Sequence, residues 1–308
     1  MSADQHKALL RRFIDLWNTG ETNTADEFVS PELVDHSLPA GVPPGREGFK
    51  QLVQTFRSAF PDLHITIDEI AAQGERAAAR VTFRGTHGGE FQGIPATGKR
   101  FMMGAIGILR FERAMVVEHW AVLDLLGLLQ QLGVVPAMTA LPYESRWPAI
   151  GGHPLGGEDT TANAATVRRF FDEVCNARQL SVAQTLFASN HHYYDPSIPN
   201  VVDGPAGIIQ PSGPVLPYQS AFSDAHWHVE DVIAEGDCVV TRWFGTGVQD
   251  GDLPGVPAAG GRVHVPGIWW QRLSGGQIFE SWQVWDTLQM LQQLGALPAP
   301  SADIPEAV

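Results

Sequence analysis

The sequence predicts an α+β protein built from two tandem copies of one domain. Residues 118–133, EHWAVLDLLGLLQQLG, return at 280–295 as ESWQVWDTLQMLQQLG, identical at ten of sixteen positions. Within each copy, apolar residues run first at helical spacing and then in short β-rich segments. That order is expected of helices packed on one face of a curved, mostly antiparallel sheet. The repeat spacing of 162 residues holds without a gap back to Phe60/Phe222, and so long a period means duplicated whole domains, not a solenoid. Upstream the copies align with small shifts, RRFIDLWN at 11 against RRFFDEVCN at 168 and VDHSLP at 34 against YDPSIP at 194.

The elements follow in order. Leu9, Leu10, Phe13, Ile14 and Trp17 form the apolar stripe of an opening helix, repeated by Val167, Phe170, Phe171 and Val174. A second helix is expected over about 46–59, where Phe49, Leu52, Val53 and Phe56 share a face. Segments 63–72, 75–86, 99–112 and 115–123 read as strands separated by glycine or charged turns. LLGLLQQLG closes the copy as a short helix with Gly133 as its C-cap. Residues 1–133 and 163–297 are then the two domains. The Pro/Gly-rich stretch 134–162 is a linker with Trp147 as its anchor, and 298–308 is a disordered tail.

Composition sets limits on function. The chain has 308 residues, 44% of them hydrophobic, and a formal net charge of −14. That charge argues against nucleic-acid and anionic-membrane partners. The two cysteines, Cys175 and Cys238, do not make a disulfide framework, and no signal peptide or membrane-length apolar run is present. A cytoplasmic location is the expectation.

The first copy contains VDHSLPAGVPPGREGFKQLVQTFRSAFPDLHITI, GTHGGEFQGIPATGKRF and VVEHWAVLDLLGLLQQLG. In order and spacing it resembles the SnoaL-like polyketide cyclases, or ester cyclases, of the nuclear-transport-factor-two-like superfamily; the second copy resembles them more weakly. The resemblance implies a cone-shaped α+β barrel with a deep pocket, homo-oligomeric assembly, and ring closure of an aromatic polyketide by intramolecular aldol condensation without metal or Schiff base. It also implies a pocket aspartate as acid/base, matched here to Asp124 and in the second copy to Asp286.

A carboxylate in an apolar pocket suits that chemistry, because desolvation raises its pKa towards the range where it both takes and returns a proton. Asp124 shares strand parity with Trp120, which would place an aromatic wall beside it. Asp124 is equally well placed to cap the helix that follows, and the two roles can coexist.

Histidines distinguish the copies. His36, His87 and His119 align with Pro196, Gln249 and Ser281, and only His64 has a partner, His226. His36 and His87 are candidates for polarising a carbonyl or relaying protons, although a lone histidine is more often an exposed or satisfied residue. His119 alternates with Trp120 on its strand, is expected to face away from the pocket, and ranks below these two, as a binding residue. The second copy holds six of the nine tryptophans. Trp243, Trp269 and Trp282, with Trp120, Phe60 and Met103 of the first copy, are candidate walls for a flat polycyclic ligand; an aromatic core or interface is the plainer reading. The kept pair Arg80/Arg242 reads as a strand-surface ion pair or a carboxylate clamp.

Other chemistries lack their motifs. His191 and His192 point to opposite strand faces and cannot share a metal with Asp195. No nucleophile elbow or phosphate loop is present, and Lys99 lies in a solvated turn, not a Schiff-base pocket. The expectation is a cofactor-independent cyclase for a small aromatic or polyketide substrate, an intramolecular pseudo-dimer with homo-oligomerisation left open. Two rivals remain: an isomerase, dehydratase or epoxide hydrolase on the same scaffold, or a protein that only binds a polycyclic metabolite.

Overall fold

The computed structural model describes residues 1–39, 41–137, 141–148, 159–198 and 202–298. The first copy opens with α1 (Ala3–Thr19), started by a Ser2/Gln5 capping box and ended by Gly20 in the left-handed conformation. It continues through β1 (Val29–Asp35), α2 (Gly45–Ala59), β2 (His64–Gln73), β3 (Arg76–Thr86), β4 (Arg100–Glu112), β5 (Met115–Leu123) and α3 (Leu125–Leu132). The sheet runs β1-β5-β4-β3-β2, with β1 parallel to β5 and the rest antiparallel. α1 lies on β2 and β3 and buries Leu10, Phe13, Ile14 and Trp17 there.

After α4 (Tyr143–Arg146), the second copy has α5 (Thr160–Arg169), α6 (Ala183–Leu186), β6 (Phe187–Tyr194), β7 (Val202–Asp203), α7 (Gly204–Ile209), α8 (Leu216–Ala221), β8 (His226–Glu235), β9 (Cys238–Val248), β10 (Arg262–Ser274), β11 (Gln277–Trp285) and α9 (Thr287–Gln293). Its sheet runs β7-β6-β11-β10-β9-β8. Neither sheet closes on itself, so the cone-shaped barrels implied by the resemblance are open curved sheets whose concave faces are covered by helices. Of the linker expected at 134–162 and the tail expected at 298–308, residues 138–140, 149–158 and 299–308 lie outside the described ones.

Two differences between the copies have local causes. RRFFDEVCN is one residue longer than RRFIDLWN, and α5 accommodates the extra residue by passing into a π-turn over Phe170–Asn176. Both ends keep their contacts: Asn18 exchanges two hydrogen bonds with the Ile65 backbone, and Asn176 does the same with Trp227. The counterpart of α2 is broken into α7 and α8, because Pro205, Pro211, Pro214 and Pro217 cannot continue one helix.

The outer faces of the sheets pack against each other. Ile106, Ile108 and Val122 meet Ile233, Val240, Ile268 and Trp270 in one buried cluster that also takes in Tyr143 and Trp147. Gly104 makes room for Trp147, since a Cβ there would fall 2.3 Å from the indole. Arg272 of the second domain donates to Glu69 of the first at 3.0 Å, and Arg80 pairs with Asp68 and Glu69 at 3.5 Å. The contacts are reciprocal: Arg80 lies 4.2 Å over the Trp282 ring and Arg242 lies 4.6 Å over Trp120. Equivalent residues reaching into equivalent partners is the pattern of an isologous dimer interface, here within one chain.

Candidate active site

Each domain holds a cavity between the concave face of its sheet and its helices. The first has about 880 Å³ of space, with Trp17 of α1, Phe56 of α2 and Phe83 of β3 among its walls. Ala105, Gly107 and Ala121 supply the room on β4 and β5; Gly107 pairs with Ala121, and Ala105 lies two residues before Gly107 on the same face. Among the described residues, His119 is the one titratable side chain lining it. Its Nδ1–H donates to Asp35 Oδ2 at 2.9 Å, and its ring packs on Phe13. With Nδ1–H turned to Asp35, Nε2 is the nitrogen left to face the cavity. It lies 3.8 Å from where a Gly107 Cβ would project.

Asp35 is fixed in turn. Its Oδ1 accepts from the Ser37 amide at 2.9 Å and hydroxyl at 2.6 Å. Burial acts to raise the pKa of this carboxyl, but the His119 ring and the Ser37 bonds outweigh it and hold the pKa below its ordinary value. Asp35 is therefore a carboxylate, placed to stabilise an imidazolium at His119.

The second cavity, about 500 Å³, has different contents. Position 281 is Ser where the first copy has His119, and Gln283 and Trp269 replace Ala121 and Gly107. The Asp-x-Ser turn is kept: Asp195 Oδ1 accepts from the Ser197 amide at 2.8 Å and hydroxyl at 2.5 Å. Without a histidine beside it, burial pushes the Asp195 carboxyl up to about 6.

The other site expectations fare differently. Asp124 lies outside the cavity lining. It N-caps α3, with Oδ1 accepting from Gly127 N at 2.9 Å and Oδ2 from the Tyr143 hydroxyl at 2.8 Å. Burial raises its pKa, and these two bonds act against the rise. Asp286 caps α9 in the same way through Gln289 N, and burial raises it too. His36 is on the outside, stacked on Trp120 at 4.8 Å. His87 is enclosed in a turn where its Nδ1 accepts from Thr97 N, 5.5 Å from the Phe60 ring. Trp120 and Trp282 are not pocket walls, because their strand faces form the joint between domains. Phe60, Met103 and Trp269 are core residues outside the cavity linings. Among the described residues, Trp243 and His119 are the members of the expected set that line these two cavities, and His119 does so against the expectation that it faces away: its face of β5 is the concave one. Of the kept arginines, Arg80 is fully buried in the joint and Arg242 pairs with Glu230.

Sequence reasoning missed Asp35, Ser37, Asp195 and Gln283. The signal for three of them was VDHSLP against YDPSIP, where Asp and Ser recur two residues apart. His191 and His192 are separate, as strand alternation requires: His191 meets Ser281, His192 meets Asp203, and burial lowers His191 to about 3. Among the described residues no group of three or more His, Cys, Asp or Glu could hold a metal ion, and no helix is long and apolar enough to cross a membrane.

The sequence profile of the SnoaL-like polyketide cyclases matches residues 7–132 and again 165–294. The chain belongs to this family. Aklanonic acid methyl ester cyclase of Streptomyces peucetius is 31% identical over 41% of this chain and 88% of its own length. Nogalonic acid methyl ester cyclase of Streptomyces nogalater is 28% identical over 39% and 91%. One SnoaL-like unit of this chain thus spans nearly the whole of each relative, and these relatives place the protein among cyclase enzymes. The solved structure of TsrD from Streptomyces laurentii is 33% identical, covering 44% of this chain and 99% of that chain with a TM-score of 0.42.

Proposed function

We propose that the first domain closes a ring of an uncharged polyketide ester by cofactor-independent aldol condensation, with His119 as the acid/base and Asp35 as its positioning partner. One observation carries this reading: the large apolar cavity has a single titratable lining residue, and that residue is a histidine oriented by a buried carboxylate. Neutral His119 takes a proton through Nε2 from a carbon between two carbonyls, and the imidazolium is stabilised by Asp35. The carbanion attacks a ketone of the same molecule, so a C–C bond forms as the C=O π bond opens. The alkoxide then recovers the proton from Nε2–H, with no leaving group and no co-reactant. The lining has no Lys or Arg to match a substrate carboxylate, which favours a methyl ester of the kind named for the relatives over the free acid.

This reading moves the acid/base from Asp124, whose two oxygens already accept bonds, to His119. The test is turnover of an aromatic polyketide β-keto methyl ester by variants. His119→Ala should lower kcat by roughly 10²–10⁴-fold, the usual contribution of general acid–base catalysis. Asp35→Asn should cost about 10–100-fold, as the loss of an orienting partner commonly does. Asp124→Asn should turn over at close to the wild-type rate. An inactive Asp124→Asn beside an active His119→Ala would reverse the assignment.

A further inference from the structure

We propose that the cavity of the second domain is a separate binding site for an uncharged, flat aromatic molecule bearing carbonyl and phenol oxygens. Its walls include Phe222, Trp227, Trp243 and Trp285, faces on which a planar ring system stacks. Tyr218 packs edge-on against Trp285 at 5.2 Å, and its hydroxyl makes no hydrogen bond to the described residues. The indole N–H of Trp243 is also unpartnered, in a side chain only 3% exposed.

A buried donor without an acceptor is costly to retain, and here the fold is shaped to retain it. A Cβ at Gly267 would fall 2.2 Å from the Trp243 ring, so the glycine admits the indole to the cavity wall. The first copy has Ala105 at that position and Val81 in place of Trp243. A ligand carbonyl oxygen is the acceptor that the buried Trp243 N–H lacks, and the Tyr218 hydroxyl is free to donate to the same ligand.

The buried end of the cavity is short of a donor instead. The Tyr193 hydroxyl lies 2.8 Å from Asp195 Oδ2 and 2.6 Å from Gln283 Oε1, two acceptors for one proton. Asp195 and Gln283 both line the cavity, and a phenol hydroxyl on the ligand would supply the missing donor. Among the described residues no Lys or Arg lines the cavity, so a ligand carboxylate would meet Asp195 without compensation. The site therefore selects neutral compounds.

The test is calorimetric titration of the full chain with 6-acetyl-2-naphthol, whose carbonyl and hydroxyl lie at opposite ends of the ring system, and with 6-hydroxy-2-naphthoate as the charged counterpart. The wild type should bind two equivalents of the ketone, one per domain. Tyr218→Phe with Trp243→Phe keeps an aromatic ring at each position, a smaller one at 243, removes both donors, and should weaken one equivalent by at least roughly tenfold, the upper range for one lost hydrogen bond. Tyr218→Phe alone removes a hydroxyl that bonds nothing in the fold, so it should weaken the same equivalent while leaving thermal unfolding unchanged. No binding by the wild type, or unchanged affinity in both variants, overturns the site; a single equivalent that both variants weaken still places it in the second domain. The naphthoate bound as tightly as the ketone overturns its selectivity.

Discussion

The two cavities share one turn and little else. Asp35 and Asp195 are held identically by Ser37 and Ser197, yet one carboxyl faces a histidine and is held low while the other faces a tyrosine and rises to about 6. Gly107 leaves space where Trp269 fills it. The face between the domains is the opposite case: Arg80/Arg242 and Trp120/Trp282 are the same in both copies and make the same cross-contact. An isologous joint uses each residue twice, so both copies must keep it, whereas a cavity serves one domain and is free to change. In this chain, then, identity between the copies marks the joint and the helix caps, and divergence marks the cavities.

The largest effect that would break this comparison is on the joint. Arg80→Ala leaves Asp68 and Glu69 buried beside a lost guanidinium, and removing one partner of a buried pair typically costs about 3–5 kcal/mol. Chemical denaturation should register that loss, while the retained protein keeps its ring-closing activity. A variant of wild-type stability would mean that the arginine pair is kept for some other reason.

The next effect separates the two carboxyls. The Asp195 carboxyl titrates at about 6 in the fold against its ordinary 3.8, so the native state holds a proton that the unfolded chain has released. The cost of burying the charge is absent below pH 4, grows between pH 4 and 6, and is complete above. Asp195→Asn removes that slope. Its stability relative to wild type should climb between pH 4 and 7 by on the order of 3 kcal/mol, at 1.36 kcal/mol for each pKa unit. Asp35, held low, should show no such gain when changed to Asn. Parallel pH curves for Asp195→Asn and wild type would erase the difference between the cavities.

Much of the fold was legible because duplication and periodicity are local signals. The 162-residue repeat, the helical stripe ending at Trp17 and the closing LLGLLQQLG needed no knowledge of packing. The site was legible only in pieces, because its geometry depends on which face of β5 is concave. Alternation usually decides that, since one face of a sheet is wet and polar. Here the second domain covers the outer face, so β4 is buried almost throughout and Trp120 looks as internal as His119. Asp124 was ambiguous for a related reason: a cap and a pocket acid have the same residue at the same place, and the bond to Tyr143 crosses a linker that no motif identifies.

The smallest predicted effect is on that cap. Asp124→Ala removes the acceptor for Gly127 N–H and strands the Tyr143 hydroxyl, whose oxygen also accepts from Gly104 N at 2.8 Å. Loss of an N-cap alone costs about 0.5–2 kcal/mol. Asp124→Asn keeps an oxygen for Gly127, and its amide can donate to the Tyr143 oxygen, so most of that stability should return. Urea denaturation of the two variants should therefore separate them by about 1 kcal/mol, typical for a cap. Equal losses in Asn and Ala would mean that the charge matters at Asp124 and not the cap. That result would restore Asp124 as a candidate acid/base and remove helix capping as the reason both copies keep the aspartate.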